Sequence, residues 1–590
     1  MYVRRTSALL LVALLPAFIL VSPVSATSIE EWGPTMAIPG LNALNTAGAG
    51  LVNAISCTSV GNCSAGGTYG FGTSGNITNA AFVVDETNGV WGSVQTVAGV
   101  TNADDFAVAG SAAVYSLSCG SVGNCSAGGT YGGLTPDPVI PTDFDADFQA
   151  FVVNEVNGVW GDAIEVPGSA VLNAQGQAAI HSISCPATGD CSAVGNYQAN
   201  ASANGGVPQS FVVNETNGVW GSAEEIPGVA SIASSSFGYG AISCSSAGNC
   251  SAGGSLGTAS GTWFAYLVNE TDGVWGAAFE VPGLTILSPG GSSSLGSISC
   301  ASQGDCSAGG YYESANGDTL PFVVGESNGS WRAAESMPGL QQLDVGDIAT
   351  LDSISCTAPG DCGAGGGYTS KAKQSHVYVT NETNGIWGSA IEVSIPHANP
   401  GDDVQLESVS CGSPGDCSAG GYYDAPSTGF VLTNASPFVV SEVGGHWEAA
   451  TPMTGVVTKN LGVAEVTKIS CVAPNSCAAG GSYADRLNPY RSQAFVMSES
   501  ARTETSFQAR AIAISASGQT FEALGLPAGA TGTVSFSLYQ NVECKADVVN
   551  GKAVCKARYA FGTGSHRIVA RYSGNNVFAP ATKAFAVVVR

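Results

Sequence analysis

SISCPATGDCSAVGNY, residues Ser182–Tyr197, places Cys185 and Cys191 on either side of a five-residue segment rich in small and turn-forming side chains. The stretch recurs as AISCTSVGNCSAGG from Ala54, SLSCGSVGNCSAGG from Ser116, AISCSSAGNCSAGG from Ala241 and SISCASQGDCSAGG from Ser297. SISCTAPGDCGAGG from Ser353, SVSCGSPGDCSAGG from Ser408 and KISCVAPNSCAAGG from Lys468 complete eight copies, whose first cysteines are 55 to 66 residues apart. A near-constant period of this length marks an array of repeated units, a solenoid or a propeller.

A second motif alternates with the first. FVVNETNGVWGSAEEIPG from Phe211 has relatives starting at Ala81, Phe151, Tyr266, Phe322, Tyr378 and Phe438. Each repeat therefore reads as four strands: the short run ending at the first cysteine, the run from the second cysteine, the FVVNE-like run, and the run around Trp. Asn-Gly or Asp-Gly between the last two is a two-residue hairpin signal, because both turn residues must accept positive φ. Four antiparallel strands with no crossover helix describe a propeller blade. The eighth repeat stops at AFVMSES, Ala494–Ser500, without its Trp strand, while EEWGPTMAIPG at Glu30–Gly40 has that strand's Trp-Gly and Pro-Gly with no strands before it. A closed ring needs that match, an open solenoid does not. The expected fold is all-β: an eight-bladed β-propeller over 27–500, closed by its N-terminal strand, then a small β-sandwich over 505–590.

Eighteen cysteines fall into nine local pairs. The eight repeat pairs are Cys57 with Cys63, Cys119 with Cys125, Cys185 with Cys191, Cys244 with Cys250, Cys300 with Cys306, Cys356 with Cys362, Cys411 with Cys417, and Cys471 with Cys477. Each spans the turn between the first two strands, where a bridge contributes roughly 2 kcal/mol. Zinc is disfavoured, since the pairs lack Cys-x2-Cys spacing and neighbouring histidines. Cys544 and Cys555 flank Asn550-Gly551 and read as a hairpin disulfide of the tail. Arg4 and Arg5 before the apolar run Ala8–Val21, with Val24-Ser25-Ala26 after it, read as a signal peptide over 1–26. Export and an even cysteine count point together to an oxidising compartment and a secreted or cell-surface protein with no membrane span in the mature chain. The net charge of −26, without a basic cluster, argues against nucleic acid as a partner.

TNGVW at Thr87–Trp91, with the Trp series at 160, 220, 275, 331, 387 and 447, resembles the BNR/Asp-box and photosystem-assembly-factor-like repeats of bacterial secreted propellers. The Asp box has one more residue between its Gly and Trp, so the resemblance implies the fold and leaves activity open. GTGSHRIVARYSGNNVFAPATKAFAVVV, at 562–589, resembles bacterial Ig-like domains, which implies a spacer or adhesive module for 505–590.

Connections between the second and third strands, and between blades, vary in length. SLGTASGTWFA (Ser255–Ala265) contrasts with GGLTPDPVIPTDFDADFQA (Gly132–Ala150). Variable loops on a rigid scaffold are the expected binding face. Asp143, Asp145 and Asp147 alternate there and form a candidate calcium loop, although the run lacks the Gly and Glu of an EF-hand. No other cofactor is called for. Trp263 offers a face for a sugar ring. Ser255 in GGSLG matches the nucleophile-elbow pattern by chance, in a chain with 79 glycines. Glu86, Glu155, Glu215, Glu270, Glu326, Glu382, Glu442 and Glu499 recur once per blade, which suits stabilising the adjacent turn rather than catalysis. The expectation is a non-catalytic binding or adhesion protein for an extracellular glycan or surface protein. Its rivals are a structural envelope component and a polysaccharide-degrading enzyme using Asp104, Asp105, Asp402 or Asp403 with the acids above.

Overall fold

The computed structural model describes residues 28–589 apart from 74–75, 101–107, 137–143, 175, 203–204, 230–235, 238–239, 259, 344, 397, 400, 425–434, 456–462, 486–487, 504–505, 516–517, 539–540 and 573–580. The leader expected over 1–26 lies outside them. The chain divides into two compact units, one over Glu30–Ala501 and one carrying Arg502–Arg590.

In the first unit each repeat is an antiparallel meander. The third repeat shows the pattern: Ala179–Ala187 pairs with Asp190–Ser202, which pairs with Gly205–Thr216. The asparagine turn follows, with Asn217 at φ 50 and Gly218 at φ 80, the positive pair that a tight hairpin demands. The outermost strand differs from the sequence reading. It is two short pieces, Val219–Trp220 and Glu224–Glu225, both paired to Gly205–Thr216. The break between them holds Ala223, whose N–H leaves the ladder and donates to the Pro167 carbonyl of the preceding repeat at 2.7 Å. The same exchange binds Val94 to Pro39, Ala163 to Ala98, Ala278 to Pro227, Ala334 to Pro282, Ala390 to Pro338 and Ala450 to Ser394. The strand breaks because its backbone serves two sheets.

The innermost strands are joined just as regularly. The serine before each first cysteine accepts a hydrogen bond from the N–H of the next repeat's first cysteine. Ser56 receives Cys119, Ser118 receives Cys185, Ser184 receives Cys244 and Ser243 receives Cys300. Ser299 receives Cys356, Ser355 receives Cys411, and Ser410 receives Cys471. Ser470 then receives Cys57 at 3.0 Å, returning the chain of bonds to its start. The repeated Ser-Cys dipeptide thus has a structural cause: the serine joins repeats, the cysteine staples its own hairpin. At the rim, Ser28–Trp32 and Met36–Ala37 both pair with the last repeat's Asn488–Thr503, Met36 lying opposite Val496 and Ala37 opposite Phe495. Sheets joined cyclically from inner strand to rim form a β-propeller.

The cores lie between neighbouring sheets. Val194 and Val212 of the third repeat pack with Ile242, Tyr266 and Trp275 of the fourth in one buried cluster. The first glycine of CSAGG makes this approach possible, and the second lets the inner strand of its own repeat lie close. A Cβ on Gly129 would stand 1.9 Å from the Ala113 carbonyl oxygen, and one on Gly128 would meet Ile183 of the next repeat at 2.9 Å.

The second unit is two antiparallel sheets. Gln508–Ser515, Gly518–Leu524 and Lys552–Lys556 form one; Asn541–Asp547, Thr533–Leu538, Gly564–Tyr572 and Ala581–Val589 form the other. They enclose a single core in which Phe521 and Phe536 stack with centroids 5.3 Å apart.

Nine disulfides are formed, and no cysteine is free among the described residues. In each repeat the bridge joins the first two strands, as with Cys185–Cys191 at a Cα separation of 4.1 Å. Cys544–Cys555 corrects the sequence reading. The turn at Asn550-Gly551 is present, but its two arms diverge: Cys544 pairs opposite Phe536 in one sheet and Cys555 opposite Phe521 in the other. The bridge is therefore a cross-sheet staple beside the Phe pair, not a hairpin disulfide.

Candidate functional site

The residue after each FVV, and the glutamate that follows it, form the seams between repeats. Trp220 donates its indole N–H to Asn154 Oδ1 of the preceding repeat at 2.9 Å, and the Asn154 amide donates to Glu215 beside that Trp. Trp275, Asn214 and Glu270 repeat the relay, as do Trp331, Asn269 and Glu326, and Trp447, Asn381 and Glu442. Serine does the same work where the ring closes. Trp91 donates to Ser498, which donates to Glu86 at 2.6 Å; Trp32 donates to Ser441, which donates to Glu499. All eight glutamates are buried, at 3–7% exposure. The sequence reading of them as turn stabilisers is corrected: each faces the neighbouring repeat. Burial raises the pKa values of Glu86, Glu215, Glu270, Glu326, Glu382 and Glu442 from their ordinary value.

Two seams depart from the pattern. Between the fifth and sixth repeats the relay position is Gly325, with no side chain to receive Trp387. There Ser307 donates to Glu382 at 2.8 Å, and the charge of Arg332, in place of the Gly that follows most of the other tryptophans, favours the Glu382 anion. Between the first and second repeats the position is Asp85. It accepts from Trp160 at 3.1 Å, and burial raises its pKa against the opposing bonds from Ser64 and Trp160. Glu155 is pushed up to about 7, first by burial and then by the Asp85 charge.

Above these seams lie open grooves of about 410 Å³ at the first seam and 400 Å³ at the fourth. Both constant turns border them, as Gly158 N–H donating to the Gly123 carbonyl shows. The two kinds of constant turn therefore share one face, as the strand order requires.

The inner edge of the ring carries a set that sequence reasoning missed. Four residues before each first cysteine stand Asn53, Tyr115, His181, Gly240, Gly296, Asp352, Glu407 and Thr467. In six repeats a register shift in the inner hairpin sets this residue apart from the ladder. Tyr115 stacks on His181, centroids 6.2 Å apart. Across three repeats, Asp352 and Glu465 each lie within electrostatic reach of Glu407, with Lys468 also beside it. Burial raises Asp352 to about 6 and pushes Glu407 and Glu465 up, and it pushes Lys468 down. Lys468 and Asp352 nevertheless touch solvent. Side chains crowded on every side yet wet are what a narrow axial channel produces. The signal was available: this position varies from Gly to Glu across the repeats, while the Ser-Cys that follows it is nearly constant.

The residues nominated from the sequence fare differently. Asp143, Asp104 and Asp105 lie outside the described residues. Asp145 and Asp147 are not in a loop: both belong to the strand Phe144–Val156, opposite Thr135 and Gly133, and Asp147 accepts from Gln149 at 2.7 Å. That ladder replaces the expected calcium loop over 144–147. Among the described residues, the one group with metal-ligand spacing is Cys356, Cys362 and Glu382, and its two sulfurs are bonded to each other. Trp263 opens the strand Trp263–Thr271 and is half-buried, its backbone N–H donating to Ser292 Oγ at 3.2 Å. Asp402 is buried and accepts from the Asn399 N–H at 2.7 Å, while Asp403 accepts from Ser375 at 3.0 Å. Ser255 is buried in a strand against Ser294. Asp147, Asp402 and Asp403 thus each have a local hydrogen-bond partner.

No known family and no curated protein matches the chain in sequence. Among solved structures it is similar to Sqt1 of Chaetomium thermophilum bound to the N-terminus of ribosomal protein L10, at 10% identity over 76% of this chain and 97% of that one, with TM-score 0.41. It is also similar to an ulvan lyase of polysaccharide lyase family PL25, at 10% identity over 72% and 95% of the two chains and TM-score 0.36. The Hadza microbial sialidase Hz136 shows 10% identity over 60% and 73%, with TM-score 0.33. Likenesses this slight leave the strand pairing described above as the ground for the fold.

Proposed function

We propose that the chain is a secreted, non-catalytic binding or adhesion protein, an eight-bladed β-propeller that presents variable surfaces to an extracellular glycan or surface protein. Residues 505–590 act as an Ig-like spacer or second contact. The observation that carries this reading is the division of labour within the repeat. Ser, Cys, Trp, the relay residue and Glu all hold one repeat to the next or staple a hairpin. Variation falls on the connections of one face and on the inner-edge position, as expected of a rigid scaffold presenting a recognition surface. Nine disulfides favour an oxidising, extracellular location. Among the described residues, no helix is long and apolar enough to cross a membrane.

A second reading is favoured by Asp352 and Glu407. Carboxyls with raised pKa values on neighbouring inner strands are the raw material of a glycoside hydrolase, one as acid and one as base or nucleophile. Both readings meet the same experiment. Residues 27–590 are incubated with soluble and insoluble polysaccharides, and bound protein and released reducing ends are scored together. Binding without release supports the first reading. Release that is lost in Glu407→Gln establishes the second, and neither binding nor release leaves a protein ligand or a structural role.

A further inference from the structure

We infer that the seam between the fifth and sixth repeats is a binding site for a carboxamide group, held between the Trp387 indole and Glu382 where Gly325 replaces the relay asparagine. Two complete seams show what the place accepts. At Glu215 the Asn154 amide donates to Oε1 and the Ser126 hydroxyl donates to Oε2 at 3.0 Å, while Asn154 Oδ1 receives Trp220. Asn214 and Ser192 serve Glu270 in the same way, with Trp275 donating to Asn214. One carboxamide thus accepts from an indole and donates to a carboxyl.

The seam at Glu382 keeps the serine half of this arrangement and lacks the asparagine half. Ser307 donates to Glu382 Oε2 at 2.8 Å, and Oε1 has no hydrogen-bond partner among the described residues. Trp387 lies opposite Glu382 in the register that sets Trp220 opposite Glu215, but its indole N–H meets no acceptor among the described residues. Both Trp387 and Glu382 are 6% exposed, yet neither unpartnered atom is fully covered. Glu326 and Glu442 differ: there the unpartnered oxygen is Oε2, and it is fully covered. A Cβ on Gly325 would meet only Glu382 Oε1, at 4.0 Å, so the space left by the glycine opens on the oxygen that asparagine serves elsewhere.

The two ends select the ligand. An indole N–H needs an acceptor and a carboxylate needs a donor. A second carboxylate would confront Glu382, and an ammonium would leave the indole unserved. A neutral group with both functions satisfies them, as the amides of Asn269 and Asn381 do at the adjoining seams. Arg332 stands at the rim: it is exposed, and its Nη1 lies 3.7 Å from where a Gly385 Cβ would be, so the guanidinium crosses the seam beside the Asn384-Gly385 turn. The asparagine or glutamine side chain of a partner protein carries the carboxamide, and its backbone carbonyls suit an arginine donor. The site is independent of the ligand proposed for the variable face.

The test uses the full disulfide-bonded chain with isotope-labelled tryptophan, the Trp387 indole resonance being assigned by its loss in Trp387→Phe. The probes are propionamide, butanone, which keeps the carbonyl without a donor, and propanol. The expected result is a saturable shift of the Trp387 resonance with propionamide, an affinity about tenfold lower for butanone, and no saturable shift with propanol. Gly325→Asn, for which the open space leaves room, supplies the amide from within and abolishes the response. Asn154→Gly opens the equivalent place beneath Trp220 and makes that indole respond as well. Absence of a saturable shift with propionamide, an equal response in Gly325→Asn, or equal affinity for butanone or propanol overturns the inference.

Discussion

The two units of this chain solve the same problem, holding β-sheets face to face, in opposite ways. The unit over Glu30–Ala501 divides its apolar interior into many small clusters, each shared by neighbouring repeats, and adds rows of polar bonds from one repeat to the next. Its disulfides are local, with a separation of 6 residues, and cross no seam. The unit carrying Arg502–Arg590 has one core of stacked phenylalanines and one disulfide, separated by 11 residues, that ties its two sheets together. In the repeats, then, cystine stabilises a blade while side-chain hydrogen bonds stabilise the ring. In the sandwich, cystine and core act on the same contact.

That contrast can be broken most sharply in the sandwich. Phe521→Ala removes a fully buried ring from its only core and is expected to cost about 3–5 kcal/mol. Calorimetry should show the transition of 502–590 lost or lowered while that of the repeat unit stays; a common shift of both transitions would mean that they unfold together. Next in size are the disulfides. Replacing Cys544 and Cys555 by alanine should cost about 3 kcal/mol from the longer loop and loosen the sheet contact besides, whereas removing Cys185 and Cys191 should cost about 2 kcal/mol. Denaturant titration of each pair of variants checks the order, and a larger loss from the repeat bridge would contradict the division of roles. Smallest is the indole relay. Trp220→Phe deletes a donor to Asn154 and is expected to cost about 1 kcal/mol more than Trp387→Phe, since Gly325 offers Trp387 no side-chain acceptor. Equal losses would show that the relay adds nothing beyond packing.

Most of the ring was legible in the sequence because the repeat displays its own strand boundaries. Cysteine spacing gave the first hairpin, Asn-Gly the last, and the displaced Trp strand at Glu30–Gly40 its pairing with the last repeat. What stayed hidden were interactions between repeats, which have no local pattern. The glutamate after FVV looked like a turn residue because its partner stands about sixty residues away, as Asn154 does from Glu215. The cross-sheet role of Cys544–Cys555 was hidden for the same reason: a turn signal fixes the turn and not the sheets its arms join. The acids at 143–147 looked like a loop because their composition is polar, yet extension of the flanking hairpin drew 144–147 into a strand. Of the candidate site, the inner-edge residues were legible only as a column of variation across repeats, which reading along one repeat does not reveal.

The central claim is that the N-terminal strand closes the repeats into a ring. It is tested most directly by deleting residues 28–40 and following hydrogen exchange in the strand Asn488–Thr503 and in the first repeat's Leu51–Ser59. Closure predicts that protection falls in both, because the last repeat loses its outer strand and the seam it forms with the first repeat loosens. Unchanged protection at Phe495–Ser498 would contradict closure by this strand.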